Sequence, residues 1–163
     1  MMNEAVVSMI NDQIEHEFFS AYLYLSMAAY FESKSLSGFA RWMRMQADEE
    51  REHAMKFFDF LIDRGARVNL HAISQPQAEC TSVLDVFEHS LQHEQKVTSL
   101  INSIYEKAVQ EKDYPTQVML HWFIDEQVEE EKNVGQIVDM LRMAEDRQAA
   151  LLNLDYHVGK RSE

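Results

Sequence analysis

Long helical repeats with very few breakers constrain the fold of this chain more than any other feature. Its 163 residues include only four Gly and two Pro, the residues that most often end helices. Apolar residues recur at helical spacing through four long stretches and one short one. The pattern predicts helices over about 4–32, 37–64, 82–112, 115–143 and 146–157.

Local signals mark where these helices begin and end. Gly65 supplies a C-terminal stop for the second helix. Thr81 or Ser82 is a candidate N-cap for the third, and Pro115 suits the first turn of the fourth. The short last stretch is too short to be stable alone, so we expect it to pack on the other helices.

The segment between Gly65 and Cys80 has no periodicity, and its length indicates the topology. A second helix of about 28 residues is roughly 40 Å long, whereas about 15 extended residues reach roughly 50 Å. The segment can therefore return along the whole bundle, so that the second and third helices run parallel. This predicts an all-α four-helix bundle with one long crossover and a short fifth helix, in one domain over 1–163.

Composition narrows the partners and the compartment. With 28 acidic and 15 basic residues, the net charge of −13 argues against nucleic acid or an anionic membrane and favours cations, although an acidic surface can be merely solubilising. The single cysteine, Cys80, cannot form an intrachain disulfide and suits a reducing cytosol. No stretch approaches the roughly 18 apolar residues of a membrane helix, and the N-terminus lacks signal-peptide features. We expect a soluble, cytoplasmic protein.

Each of the four long stretches carries a carboxylate inside its apolar stripe. Glu50 and His53 stand three residues apart, so a helix places both side chains on one face. Glu17, Glu94 and Glu130 occupy matching midpoints of the other three stretches. Four helices with inward carboxylates at one level suggest a di-iron site.

The positions of these carboxylates relative to the predicted turns support a common level. In an antiparallel hairpin, two residues equidistant from the turn lie at the same height. The midpoint of Glu17 and Glu50 falls between residues 33 and 34. That of Glu94 and Glu130 falls on Lys112. Both pairs are therefore centred on predicted turns.

Inward carboxylates require a counter-charge, because burying an isolated one costs several kcal/mol or more. Arg and Lys are absent from these stripes near the site, so a divalent metal is the natural partner. Carboxylate mixed with imidazole suits iron, manganese or zinc. For any one of these Glu residues, a rim position with the carboxylate in water is the alternative. Six other histidines show no shared face with the site: His16, His71, His89, His93, His121 and His157.

On these motifs the chain resembles the ferritins, specifically the haem-free prokaryotic ferritins, over nearly its whole length. The resemblance implies a first iron site formed by Glu17, Glu50 and His53. It implies a second site formed by Glu50, Glu94 and Glu130, with Glu50 bridging. Together with Tyr24, these are the residues expected to carry catalysis.

The resemblance extends to residues around the two sites. Gln127 matches a glutamine found nearby in the family, and Tyr24 and Trp122 match aromatic residues beside its centre. A third, weaker iron site in prokaryotic relatives is similar to four residues here: Glu49, Glu126, Glu129 and Glu130. Glu126 and Glu129 could instead belong only to a solvated face.

The fourth helix makes the two metal positions unequal. It offers Gln127-x-x-Glu130 where a symmetric di-iron protein would have Glu-x-x-His. We therefore predict weaker binding at the second position and easier release of ferric iron. This favours a ferritin over a bacterioferritin.

Two further sequence features bear on the chemistry. Tyr24 lies one turn beyond Ala21 and can hydrogen-bond near the metals and donate an electron, although core packing explains it almost as well. Bacterioferritins bind haem through a Met, but the matching region here has Glu52, while Met43 and Met45 suit packing. No haem is expected.

The resemblance implies an iron store with ferroxidase activity. Fe(II) would bind at the centre and be oxidised by dioxygen or peroxide, and ferric oxide mineral would collect in the cavity of a 24-subunit cage. The short C-terminal helix would line one class of symmetry axis. The alternatives are a bacterioferritin-like or other di-iron oxidase or peroxidase, and a non-enzymatic helical adaptor.

Overall fold

The structure of the chain, a computed structural model, describes residues 1–77, 80–145 and 147–161. Its helices are α1 Glu4–Ser33, α2 Ser37–Asp63, α3 Val83–Gln110, α4 Tyr114–Ala144 and α5 Gln148–Val158. The described residues contain no strand. The predicted all-α bundle with one long crossover and a short fifth helix is confirmed. None of the described helices is long and apolar enough to span a membrane.

Capping side chains set the starts of α3 and α4, each one residue from the predicted start. Ser82, not Thr81, caps α3, since its extended backbone precedes the helix and its hydroxyl accepts from Asp85 N at 3.1 Å. Asp113 caps α4 by accepting from Thr116 N at 3.3 Å, so the helix starts just before the proline. Residue 146, the predicted start of the fifth helix, and crossover residues 78 and 79 lie outside the described residues.

The crossover is tied to the first helix by a buried asparagine. Asn11 donates from Nδ2 to Arg67 O at 3.2 Å, and its Oδ1 accepts from Asn69 N at 2.7 Å. These two bonds satisfy backbone groups that the irregular segment cannot pair within itself. They hold the start of the crossover along α1.

Two hydrophobic clusters fill the bundle, one on each side of a polar layer. One cluster lies toward the α1–α2 turn and includes Phe31, Phe39 and Phe87. The other lies toward the opposite end, where Phe57 and Phe123 stack with ring centroids 3.9 Å apart. Every long helix passes from one cluster to the other through buried polar residues: Glu17, Glu50, His53, Glu94, Gln127 and Glu130.

The short fifth helix docks on the start of α2 through a close glycine contact. A Cβ on Gly159 would lie 2.6 Å from Gly38 Cα, so side chains at these positions would separate the two helices. The Asp155 carboxylate accepts from Phe39 N at 2.8 Å and caps α2, whose own N-cap, Leu36, has no side-chain cap bond. Val158 is buried in the cluster beside it. This docking fixes the position of residues 159–161, which follow α5.

Candidate metal centre

The polar layer is formed by one carboxylate from each of the four long helices. Glu17, Glu50, Glu94 and Glu130 are between 0% and 3% exposed. Carboxylates this deep in an apolar bundle carry a large desolvation cost unless they are protonated or bind a cation.

Glu17, Glu50 and His53 form a fully buried group of candidate ligands. One candidate ligand atom from each lies within 4.8 Å of the others. Gln13 Nε2 donates to Glu17 Oε1 at 2.8 Å, and His53 Nδ1 lies 3.3 Å from Glu50 Oε2. The Oε2 atoms of Glu17 and Glu50 accept no hydrogen bond from the described residues. Two buried oxygens without donors beside an imidazole fit a divalent transition metal.

Glu94, the α3 residue of the layer, is held by two neutral donors. The Tyr24 hydroxyl donates to its Oε1. Gln127 Nε2 lies 3.2 Å from both the Oε2 and the backbone oxygen of Glu94. Burial raises the pKa of Glu94 to about 7, although both hydrogen bonds act in the opposite direction. The hydroxyl and the amide therefore orient this carboxylate.

Burial and neighbouring carboxylates also raise the pKa values of Glu130 and Glu50. Burial and the nearby Glu94 raise the pKa of Glu130 to about 8, while a 2.8 Å hydrogen bond from Gln46 Nε2 partly offsets them. Burial, with repulsion from Glu94 and Glu17, holds the pKa of Glu50 well above its usual range. A cation that binds here displaces protons from these carboxyl groups and removes their repulsion.

The side chains predicted for the second position are grouped less closely than those predicted for the first. Among the described residues, no group with ligand atoms within 4.8 Å joins Glu50, Glu94 and Glu130. Such a group instead joins Glu130 to His53 and Glu126. Glu94 is hydrogen-bonded by Tyr24 and Gln127, and Glu130 by Gln46.

The four residues expected at a third site are not in equivalent positions. Glu126 lies beside His53, with its Oε1 4.0 Å from Nε2. Glu129 is exposed on α4. Both Glu49 oxygens accept from Arg161, at 2.8 and 2.7 Å. Arg161 was missed by the sequence reasoning, which considered basic residues only within the four apolar stripes.

Two aromatic side chains, Trp122 and His93, pack against residues of the candidate centre. Trp122 is 41% exposed, and its ring centroid lies 5.4 Å from that of His53, so it shields one side of the centre. His93, which the periodicity separates from the site, packs edge-on against Tyr24 with centroids 6.4 Å apart. Burial, with Lys96 and His16 nearby, lowers the pKa of His93 to about 4. The His93 imidazole that packs against the Tyr24 ring is therefore neutral near pH 7.

A separate group of candidate ligands lies at the N-terminus of α3. Cys80 Sγ is 3.8 Å from His89 Nδ1, and His89 Nε2 is 3.6 Å from Asp85 Oδ1. Asp85 also accepts from Thr81 N at 2.8 Å. The cap of α3 accounts for the aspartate, and this surface group is distinct from the buried layer.

Comparison with known proteins identifies relatives along the whole chain. The family model described as a ferritin-like domain matches residues 7–144. The bacterial non-heme ferritin of Staphylococcus aureus strain USA300 is 39% identical over 162 residues, covering 99% of this chain and 98% of the relative. That of Staphylococcus haemolyticus strain JCSC1435 is 40% identical over 146 residues, covering 90% and 88%.

Solved structures agree with the sequence relatives. The open pore ferritin from the hyperthermophilic archaeon Archaeoglobus fulgidus superposes with a TM-score of 0.98 at 48% identity, covering 99% of this chain and 100% of that one. A closed form of the Archaeoglobus ferritin, engineered by site directed mutagenesis, gives a TM-score of 0.97 at 48% identity, covering 99% of each chain.

Proposed function

The chain belongs to the ferritin family, and we propose that it is a haem-free iron-storage ferritin that oxidises Fe(II) at a di-iron centre inside its own bundle. The observation that carries this proposal is the buried group of Glu17, Glu50 and His53, with its two carboxylate oxygens that accept no hydrogen bond from the described residues. Such oxygens are costly in a protein that binds no cation there. In a protein whose substrate is a metal ion, the same oxygens are available as ligands.

Iron is the substrate in this proposal, and the chain provides two unequal positions for it. Glu17, Glu50 and His53 form the first, and Glu50 bridges to a second that includes Glu94 and Glu130. The second position has no imidazole of its own, and its carboxylates are engaged by neutral donors. Iron at the second position is therefore held less tightly, which favours transfer of the ferric product to storage.

The residues around the metals orient ligands, supply protons and exclude water. Iron supplies the redox chemistry when bound. Gln127 and Gln46 orient the Glu94 and Glu130 carboxylates through their amide groups. The Tyr24 hydroxyl, which burial keeps protonated by raising its pKa, is placed to deliver a proton or an electron beside Glu94. Hydrophobic clusters on both sides limit access of bulk water.

Storage of a mineral requires a cavity surrounded by several subunits, and we propose a cytoplasmic homo-oligomeric cage of 24 subunits. Exposed apolar side chains support extensive contact between copies. Tyr22 is 52% exposed, Leu25 49% and Ile73 45%. These three line a groove of about 520 Å³ between α1, α2 and the crossover. Apolar surface of this kind is typical of a face that is covered in the assembled protein.

Anaerobic titration of the metal-free cage with Fe(II), followed by rapid mixing with oxygenated buffer, tests the proposed function. We expect fast oxidation that saturates near two iron ions per chain, as in other di-iron carboxylate bundles. The absorbance of the ferric product measures it. A helical adaptor with the same fold would show no saturable phase, and that result would contradict the proposal.

Replacing Tyr24 by phenylalanine should separate its chemistry from its packing. The ring keeps its contact with Trp42, whose centroid lies 6.3 Å away, while the hydrogen bond to Glu94 is lost. We expect an intact cage and ferrous oxidation slower by about 10–100-fold, because a hydrogen-bond partner of the Glu94 carboxylate is removed while every metal ligand remains. Stopped-flow absorbance and size-exclusion chromatography measure the two effects. Loss of assembly with normal oxidation in the surviving cages would show that the tyrosine is structural.

A further inference from the structure

Arg161, just beyond α5, places a cation against the acidic layer of the bundle. Its Nη2 donates to Glu49 Oε1 at 2.8 Å and to Oε2 at 2.7 Å. Its Nη1 donates to Gln46 Oε1, and its Cζ lies 5.3 Å from the centroid of the Trp42 ring. The Arg161 side chain is 23% exposed. Three different kinds of contact therefore fix the guanidinium in one place.

The docking of α5 explains why Arg161 reaches this position. The contact between Gly38 and Gly159 brings the end of α5 onto the start of α2. The bond from Phe39 N to Asp155 fixes the register between the two helices. The chain that leaves α5 then runs along α2 toward Gln46 and Glu49. Both receive hydrogen bonds from the planar, permanently charged guanidinium, which suits bidentate pairing with a carboxylate.

The guanidinium acts on two of the four carboxylates expected at a third iron site. It occupies both oxygens of Glu49 directly. It also bonds to Gln46, whose Nε2 donates to Glu130 Oε2 at 2.8 Å. Among the described residues, Glu49 belongs to no group whose candidate ligand atoms lie within 4.8 Å, whereas Glu126 and Glu130 do. Arg161 thus pairs Glu49 with a cation, while Glu126 and Glu130 stay grouped with His53.

We propose that Arg161 closes the third iron position in this chain, its guanidinium providing the positive charge that a third metal ion would otherwise provide. The inference rests on the proposed function, since it presupposes the two-iron centre. Arg161 acts as a positioning residue, because it touches Glu49 and Gln46 and not the oxidised iron. The consequence is a centre limited to two ions, in which Glu49 is unavailable as a ligand while α5 is docked.

Metal-binding stoichiometry of the assembled protein tests this inference. Wild type, Arg161→Gln and Arg161→Lys are titrated anaerobically with Fe(II) by calorimetry. Arg142→Gln is a matched control, since Arg142 forms a comparable two-contact pair with Glu88, at 3.2 and 2.7 Å, on an exposed surface. We expect about two equivalents per chain for wild type and the control, and one further saturable equivalent for Arg161→Gln. Lysine keeps the positive charge but lacks the planar set of donors of a guanidinium. In Arg161→Lys, the extra equivalent should therefore bind more weakly than in Arg161→Gln.

A structural readout accompanies the titration. Crystals of wild type and Arg161→Gln soaked in Zn²⁺, which is redox-inert and accepts the same ligands, are compared by anomalous diffraction. A peak between Glu49 and Glu126 is expected only in Arg161→Gln. The group around Cys80 is common to all four proteins, so any metal bound there cancels in the comparison.

The outcomes separate this inference from the function on which it rests. A zinc peak at Glu49 in wild type, or no equivalent in Arg161→Gln beyond those of wild type, overturns the inference while the two-iron centre stands. Absence of saturable binding in wild type contradicts the proposed function itself. If Arg161→Gln does not assemble, the wild-type crystal decides: a zinc peak at Glu49 overturns the inference, and zinc at the buried layer without a peak at Glu49 supports it.

Discussion

Replacing Glu50 by glutamine is expected to abolish fast, saturable oxidation of Fe(II). Glu50 belongs to the group with Glu17 and His53 and is the proposed bridge to the second position, so one substitution weakens both metal positions. Loss of a residue that only orients a metal ligand typically costs about 10–100-fold in affinity or activity. We expect loss of the bridging ligand to lower the rate by about 100-fold or more. Stopped-flow absorbance after mixing with oxygen measures it.

The matched control for this prediction is Glu52→Gln. Glu52 is an exposed residue of the same helix and carries the same charge, so its replacement tests the general effect of removing one negative charge from α2. Oxidation by Glu52→Gln should remain like that of wild type. Equal rates for Glu50→Gln and wild type would mean that the buried layer is not the oxidation site. Equal losses in both variants would point to general electrostatic attraction of Fe(II).

The same Glu50→Gln substitution is expected to stabilise the metal-free protein at alkaline pH. The Oε2 atoms of Glu17 and Glu50 accept no hydrogen bond from the described residues, and a glutamine amide provides a donor in place of one of them. Removing a buried carboxylate also removes its repulsion with Glu94 and Glu17. We expect a gain in unfolding free energy on the order of 1–3 kcal/mol near pH 8.

The pH dependence of this gain follows from the direction of the pKa shifts. The folded protein raises the pKa of Glu94 from 4.5 to about 7 and that of Glu130 from 4.5 to about 8. In this window the folded state binds more protons than the unfolded state, so the stability of the metal-free wild type falls as pH rises. The advantage of Glu50→Gln should therefore be small near pH 5 and grow toward pH 8.

Apparent melting temperatures of the metal-free cages, measured across this pH range, test the prediction. Added divalent metal should raise the melting temperature of wild type most at the alkaline end, and should raise that of Glu50→Gln much less. A wild-type melting temperature that does not change with pH would contradict the proposed repulsion within the layer. So would a metal-free Glu50→Gln protein less stable than wild type at pH 8.

The sequence predicts the bundle and the level of its carboxylates because both depend on short-range periodicity. Glu50 and His53 share a helix face by their spacing alone. The remaining carboxylates come to the same height because the turns after α1 and α3 are short and lie at the midpoints of the two pairs. Lys112, the midpoint of Glu94 and Glu130, has a positive φ of 55° in the second of these turns.

The pairing of side chains within the layer could not be predicted in the same way. Gln46 and Glu130 are 84 positions apart, and Tyr24 and Glu94 are 70 apart. Whether such residues meet depends on rotation of each helix about its axis and on rotamers, which periodicity determines only to within a face. The sequence therefore predicted Gln127 as a neighbour of the site but had no signal for Gln46.

What the sequence alone determined is the helical architecture and the presence of a buried acidic layer, since helical period and turn position are local properties of the chain. Only the tertiary structure decided which side chains form hydrogen bonds and ion pairs with the carboxylates in and beside that layer. The docking of α5 through Gly38 and Gly159 brings Arg161 to Glu49, although the two residues are 112 positions apart. A distant cation can satisfy a carboxylate only once the packing of other residues has placed it there.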